Sequence, residues 1–148
     1  MARHQTKTKG DIGVAKVIAD LAQHGIDIAL PLSEHQPFDL IAILDNQIVG
    51  RVQVKYRTAK SNKTVSVRLA ACASNSNGFY YKPIDRRSFD FFAIYCPDVN
   101  SVAYVPLEDV AHMEEFHIRL EPPKNNQRSG IRLWDHYRDP HQAFPGRR

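Results

Sequence analysis

The sequence predicts an α/β or α+β domain, a central mixed β-sheet flanked by helices. Three observations predict it. Near the N-terminus Val14, Val17, Ile18 and Leu21 repeat at i, i+3, i+4, i+7, the spacing of one helix face. Short apolar runs of strand length follow at 38–44, 48–56, 64–72, 89–96 and 101–107. The 148 residues suffice for one domain, expected as a basic arm over 1–9, a core over 10–120 and an irregular tail over 121–148.

The helical pattern opens at Gly10 and Gly25 supplies its stop. Asp11 extends the inward stripe at the expected first turn. Proximity to the positive end of the helix dipole explains it as well as a functional role does. Residues 26–30 form a short strand ended by Pro31, and 32–37 a loop. Residues 38–44 and 48–56, joined by Asp45, Asn46 and Gln47, read as a β-hairpin without the strongest turn dipeptide. A polar connection spans 57–63, residues 64–72 alternate as a strand, and 73–88 read as irregular. Two buried strands around a turn cover 89–96 and 101–107, then a short helix at 108–116 and a last strand at 116–120. The tail carries Pro122, Pro123, Pro140 and Pro145, with Trp134 and Tyr137 expected to anchor it on the core.

A hydrophobic fraction of 43% and 24% charged residues describe an ordinary globular chain. No apolar run reaches membrane-spanning length, and the N-terminus lacks a signal core. Cys72 and Cys96 lie in apparent strands without metal-ligand spacing, so buried free thiols and a cytoplasmic location are expected. Net charge is +4, and its distribution says more. Between Asn46 and Ile84 there is no acid and seven basic residues: Arg51, Lys55, Arg57, Lys60, Lys63, Arg68 and Lys82. Such a segment suits a polyanion, and nucleic acid is the expected partner.

Several chemistries are excluded. Neither a dinucleotide-binding nor a nucleoside-triphosphate glycine loop is present. The pairs His112/His117 and His136/His141 are spaced by five, off the face a zinc-protease helix needs. No serine elbow occurs, and neither cysteine has a base beside it. One set survives: Asp39 at the start of one strand, with Gln53 and Lys55 on the next. A metal-dependent phosphodiesterase needs acidic oxygen ligands for a hard cation and a positive group near the phosphate. Asp39, with Asp11 as second carboxylate, and Lys55 meet that need. In RVQVKYR (51–57) Gln53 and Lys55 share one strand face, which is either a solvated outer face or a catalytic one. Hairpin register decides between them. A three-residue loop sets position 39 opposite 53, whereas a two-residue loop throws Asp39 to the other face. Both remain open.

Pro37-Phe38-Asp39 with Gln53-Val54-Lys55 resembles the PD-(D/E)XK nuclease pattern. The wider string KGDIGVAKVIADLAQHGIDIALPLSEHQPFDLIAILDNQIVGRVQVKYRTAK, with the later FDFFAIYC and AYVPLEDV, is similar to one branch in particular: bacterial homing endonucleases encoded within group I introns. The likeness covers roughly residues 9 to 112. It implies a restriction-enzyme-like core and a single nuclease domain. The activity it implies is magnesium-dependent, sequence-specific cleavage of double-stranded DNA by a metal-activated water, with manganese able to substitute. Asp39 is then the principal ligand and Asp11 a second, direct or through water. The Val54 carbonyl is a further ligand, and Lys55 orients the water. Gln53 departs from the family's acid; its amide oxygen can coordinate but adds no charge.

The resemblance also gives the basic segment a role. Arg57, Lys60, Lys63, Arg68 and Lys82, with Arg86, are the expected phosphate contacts. Asn62, Asn75, Asn77, Tyr80 and Tyr81 are candidates for reading bases or sugars from loops or a two-stranded ribbon. A long target read by a short chain implies a homo-oligomer, dimer or tetramer, and no membrane partner. Two alternatives stay open: a junction-resolving or repair nuclease on the same core, and a DNA-binding module with a dead site.

Overall fold

In the computed structural model, which describes residues 4–69 and 71–146 apart from the side chains of 71–74 and 81, the helical stripe forms α1, Gln5–Gln23. The helix starts inside the stretch expected as an arm. Its polar first turns carry no periodic signal, which is why Gly10 looked like the beginning. Its end follows the expectation. Gly25 adopts φ +73°, Gly25 N–H donates to the Ala22 carbonyl at 3.0 Å, and Ile26 N–H donates to that of Leu21 at 2.9 Å. Those two bonds close the helix as a Schellman motif.

The central sheet contains β1 (Asp27–Ala29), β2 (Leu40–Leu44), β3 (Gln47–Tyr56), β7 (Phe91–Cys96) and β8 (Ser101–Pro106), in the order β1-β2-β3-β7-β8. All neighbours are antiparallel except β3 and β7, so the sheet is mixed, as expected. Strand β7 is buried along its whole length because both faces are covered. One face packs on α1 through Val52, Phe91, Ala93 and Tyr104. The other packs Phe92, Ile94 and Val105 against a second ladder. That ladder pairs β4 (Thr64–Arg68) with β9 (Glu115–Arg119), whose Val65, Val67, Phe116 and Ile118 face inward. Trp134 closes this layer: its indole Nε1–H donates to Ser101 Oγ at 2.7 Å, so the tail is anchored where the sequence suggested.

Three expectations need correction. The run 64–72 is two strands, β4 and β5 (Ala71–Asn75). The supposedly irregular 73–88 contains β6 (Gly78–Lys82), paired with β5 as a separate ribbon. Asn75 Oδ1 accepts from Asn77 N–H at 2.9 Å and Gly78 takes φ +116°, so the Asn77-Gly78 dipeptide was the missed turn signal. The helix expected over 108–116 is only one turn, α2 (Leu107–Val110), because the residues after it are drawn into pairing with β4. Cys96 is a buried free thiol, as expected, while the Cys72 and Tyr81 side chains lie outside the described residues. Among the described residues, no helix is long and apolar enough to cross a membrane.

The β2–β3 hairpin resolves its register in a third way. Asp45 and Asn46, at φ +52° and +61°, form a two-residue turn, pairing Leu44 with Gln47 and Ile43 with Ile48. The ladder then shifts between Ala42 and Ile43, so Ala42 pairs with Gly50 and Leu40 with Val52. Val49 is therefore the extra residue of a β-bulge, and from Ala42 to Leu40 the ladder runs in the register a three-residue loop would give, despite the short turn. Gly50 is required beside the bulge. A Cβ there would stand 2.6 Å from Phe91 Cε1, on a ring wedged between Tyr104 and Phe144. Gly50→Ala is predicted to destabilise the fold by about 1–3 kcal/mol in urea denaturation. An unchanged midpoint would mean that the Phe91 ring yields.

Candidate active site

Strand β3 outlasts β2, and the site forms where they part. Asp39 N–H makes the last rung, donating to the Val52 carbonyl at 2.8 Å. Along a strand, the N–H and C=O of alternate residues point to the same neighbour. Val54 therefore presents both groups to the gap that β2 vacates. The Asp39 side chain fills half of it: Val54 N–H donates to Asp39 Oδ2 at 2.7 Å. Asp39 is exposed, and its other carboxylate oxygen makes no hydrogen bond among the described residues.

Gln53 and Lys55 project from the face opposite α1, level with Phe92 and Ile94. Gln53 Nε2 donates to the Pro37 carbonyl at 3.2 Å, which orients the amide and leaves its oxygen unengaged. Burial lowers the Lys55 amine from its ordinary value, and neighbouring Arg57 lowers it further; Asp39 pulls it back up. Burial likewise lowers Arg57, whose Nη1–H donates to the Tyr56 carbonyl at 2.9 Å. Arg57 thus belongs beside Lys55 as well as in the basic segment. Its i+2 spacing on the same strand direction was the available signal. Arg51, third on this face, is engaged structurally. Its backbone N–H and guanidinium Nε–H donate to Asp90 Oδ2 at 2.7 and 3.2 Å.

Asp11 is not in the first helical turn, since α1 starts at Gln5, and the dipole explanation falls away. Lys16 Nζ sits 3.0 Å from Asn100 Oδ1, and the Tyr104 hydroxyl donates to Asp20 Oδ2 at 2.6 Å, so that flank of α1 overlies β7 and β8. At 100° per residue, Asp11 lies about 140° and 180° around the helix from those two residues. It therefore stands on the flank of α1 away from β7 and β8. Gly13, two residues on, packs over Val54 and Tyr56. Asp11 is exposed, and no hydrogen bond or ion pair engages it among the described residues.

The donors fit a hard divalent cation of the magnesium type. One Asp39 oxygen without a hydrogen bond and the Val54 carbonyl direction share the gap, and the unengaged Gln53 amide oxygen stands on the neighbouring residue of β3. Among the described residues no cluster of three or more acid, His or Cys side chains that could hold a metal is found.

The remaining candidates separate into groups. Lys60 and Asn62 are exposed on the connection that leaves Lys55, and Asn62 Oδ1 accepts from Thr64 N–H at 3.2 Å. Lys63 pairs with Glu121 at 2.7 Å. Arg68 is exposed in β4 opposite Glu115. Asn75, Asn77, Tyr80 and Lys82 are exposed on the β5–β6 ribbon, although Asn75 is occupied by its turn. Arg86 is not brought to this group: it lines a hollow with Asp90 and Glu108 at the opposite end of β7.

A mixed sheet with an acid at the mouth of a hairpin and Gln-x-Lys on its longer strand defines a nuclease-type phosphodiesterase core. The family model described as PD-(D/E)XK endonuclease matches residues 4–140, and the chain belongs to that family. The fold is similar to the solved structure of a bacterial homing endonuclease, I-Ssp6803I, with a TM-score of 0.73 and 21% identity over 92% of this chain and 90% of that one. No curated protein matches in sequence.

The lowered Lys55 amine has a consequence for stability. The folded protein holds that proton less tightly than the unfolded chain, whose lysine titrates near 10.5. The destabilisation is full below the folded value and fades as pH rises from there towards 10.5. Lys55→Met is predicted to stabilise the metal-free protein at pH 7 by about 0.5–2 kcal/mol, with a gain that narrows in alkali. A variant less stable than wild type in urea would mean that attraction to Asp39 outweighs burial.

Proposed function

We propose that the protein is a magnesium-dependent, sequence-specific double-stranded DNA endonuclease of the homing kind, acting as a homo-oligomer. The observation that carries this reading is the vacated rung of the β2–β3 ladder. There a carboxylate oxygen without a hydrogen bond and a backbone carbonyl face the gap, with Gln53 and the half-buried Lys55 on either side of Val54 along the same strand, in a chain of an endonuclease family. The name of the structurally similar protein supports the homing part of the reading.

Asp39, Gln53 and the Val54 carbonyl would hold the cation, with Asp11 as a second carboxylate contributing directly or through water. When bound, such an ion polarises phosphate oxygens and acidifies water. The Val54 N–H fixes one Asp39 oxygen, so the other is presented in a set direction. The Pro37 carbonyl holds the Gln53 amide in the orientation that exposes its oxygen. Lys55 donates to the attacking water and to charge developing on the phosphate. Arg57 adds a positive charge along the same strand edge. Gln53 cannot take a proton, so proton removal falls to solvent or to a carboxylate. Manganese replaces magnesium in this donor set.

The decisive assay is cleavage of a plasmid carrying an uninterrupted candidate host gene, with magnesium or with EDTA, beside a synthetic four-way junction. Discrete magnesium-dependent linearisation is expected; cutting of the junction alone would identify a resolving nuclease, and binding without cutting a dead module. Asp39→Asn and Lys55→Ala are each predicted to slow cleavage by about 10²–10³ or more, with DNA binding kept within a few-fold by gel shift. Either variant cutting at the wild-type rate would remove that residue from the site.

A further inference from the structure

A second polar cleft lies outside the active site, on the outer face of the β4–β9 ladder. Its volume is about 320 Å³, and Lys60, Asn62, Ser66, His117, Arg119 and Arg132 line it. The inward residues of this ladder are apolar, so period-two alternation forces Ser66 and His117 outward, directly opposite each other. Ser66 Oγ and His117 Nδ1 are 2.7 Å apart. The tail builds the other wall: Arg119 N–H donates to the Arg132 carbonyl at 2.8 Å, holding the tail strand beside β9.

The charge in this cleft is one-sided. Three cations line it and no carboxylate does. Arg119 Nε–H donates only to the Glu121 backbone carbonyl, at 3.2 Å, and no hydrogen bond or ion pair engages the Lys60 or Arg132 side chain among the described residues. Nearby Lys63, by contrast, is paired with Glu121. Unpaired cations grouped around a hydroxyl, an amide and an imidazole are the donors a phosphate diester accepts from.

We propose that this cleft is a backbone-phosphate subsite that grips duplex DNA beside the cleavage site. The proposal rests on the endonuclease reading above and deepens it. Lys60 stands five residues beyond Lys55, on the connection that leaves the same end of β3. Five extended residues reach at most about 17 Å, the axial length of about five base-pair steps. The two sites are therefore within the reach of one duplex. Contacts of this kind set register and affinity and carry no sequence information.

The test uses the whole protein and a short random-sequence duplex in EDTA, with anisotropy read across a salt series. The double variant Lys60→Gln/Arg132→Gln is compared with wild type and with Lys124→Gln, an exposed lysine away from the cleft. Each lost phosphate contact lowers the salt slope by about 0.9, so the double variant is expected to lose about two units and to bind about tenfold or more weakly. Lys124→Gln leaves slope and affinity unchanged. Wild-type slope and affinity in the double variant, with wild type binding and cutting duplex DNA, would overturn the subsite alone. If the double variant instead changes its sedimentation as an oligomer while binding DNA normally, the cleft serves contact between copies and the subsite is again overturned. A wild-type protein that neither binds nor cuts duplex DNA would overturn the endonuclease reading and the subsite together.

Discussion

A single hydrogen bond, from Val54 N–H to Asp39 Oδ2 at 2.7 Å, organises this molecule's candidate site. It exists because β2 stops pairing one residue too early to satisfy β3. A sheet edge left open costs free energy unless something takes its donors. Here an acid takes the N–H, and the carbonyl of the same residue is left facing the gap. The side chain that completes the ladder is thereby fixed with one oxygen held and one offered. The unfinished rung is thus a structural solution and, on the proposed function, a ligand set at once.

The same edge sets the electrostatics. Lys55 and Arg57 emerge two residues apart, partly buried, with one carboxylate nearby, and burial works against both charges. An arrangement that only served stability would pair or expose them, as Arg51 is paired with Asp90 and Lys63 with Glu121. Positive charge held short of counter-charge favours a polyanion, whose arrival supplies what the fold withholds. Under the proposed function, Gln53 would bring no negative charge to a cation, which would increase the dependence on Asp39 and on Asp11 from the helix.

Much of this was legible in the residues. Val14, Val17, Ile18 and Leu21 marked the helix face, and the apolar runs marked the strands of the central sheet. Asp39, Gln53 and Lys55 were recognisable as a set. Their shared geometry was not, because both loop readings assumed a regular ladder. The turn is the shorter one, and Val49 bulges to restore the register that the longer one would have produced. Nothing local announces a bulge at a valine. Its trace is Gly50, which only makes sense once Phe91 is known to press against it. The β5–β6 ribbon was hidden by a run of polar residues, although Asn77-Gly78 marked its turn. The polar start of α1 was missed because periodicity reports burial and that segment buries little, and α2 was read too long because the residues after it are drawn into pairing with β4.

The claim at the centre is that Asp39 bridges the Val54 amide and a divalent cation. The Val54 amide ¹H–¹⁵N resonance reports on that bond directly, and it should be followed as magnesium is added to the wild type and to Asp39→Asn. A saturable shift of the Val54 amide is expected in the wild type and is lost in the variant. A Val54 resonance indifferent to magnesium in the wild type, or shifting equally in both proteins, would contradict it.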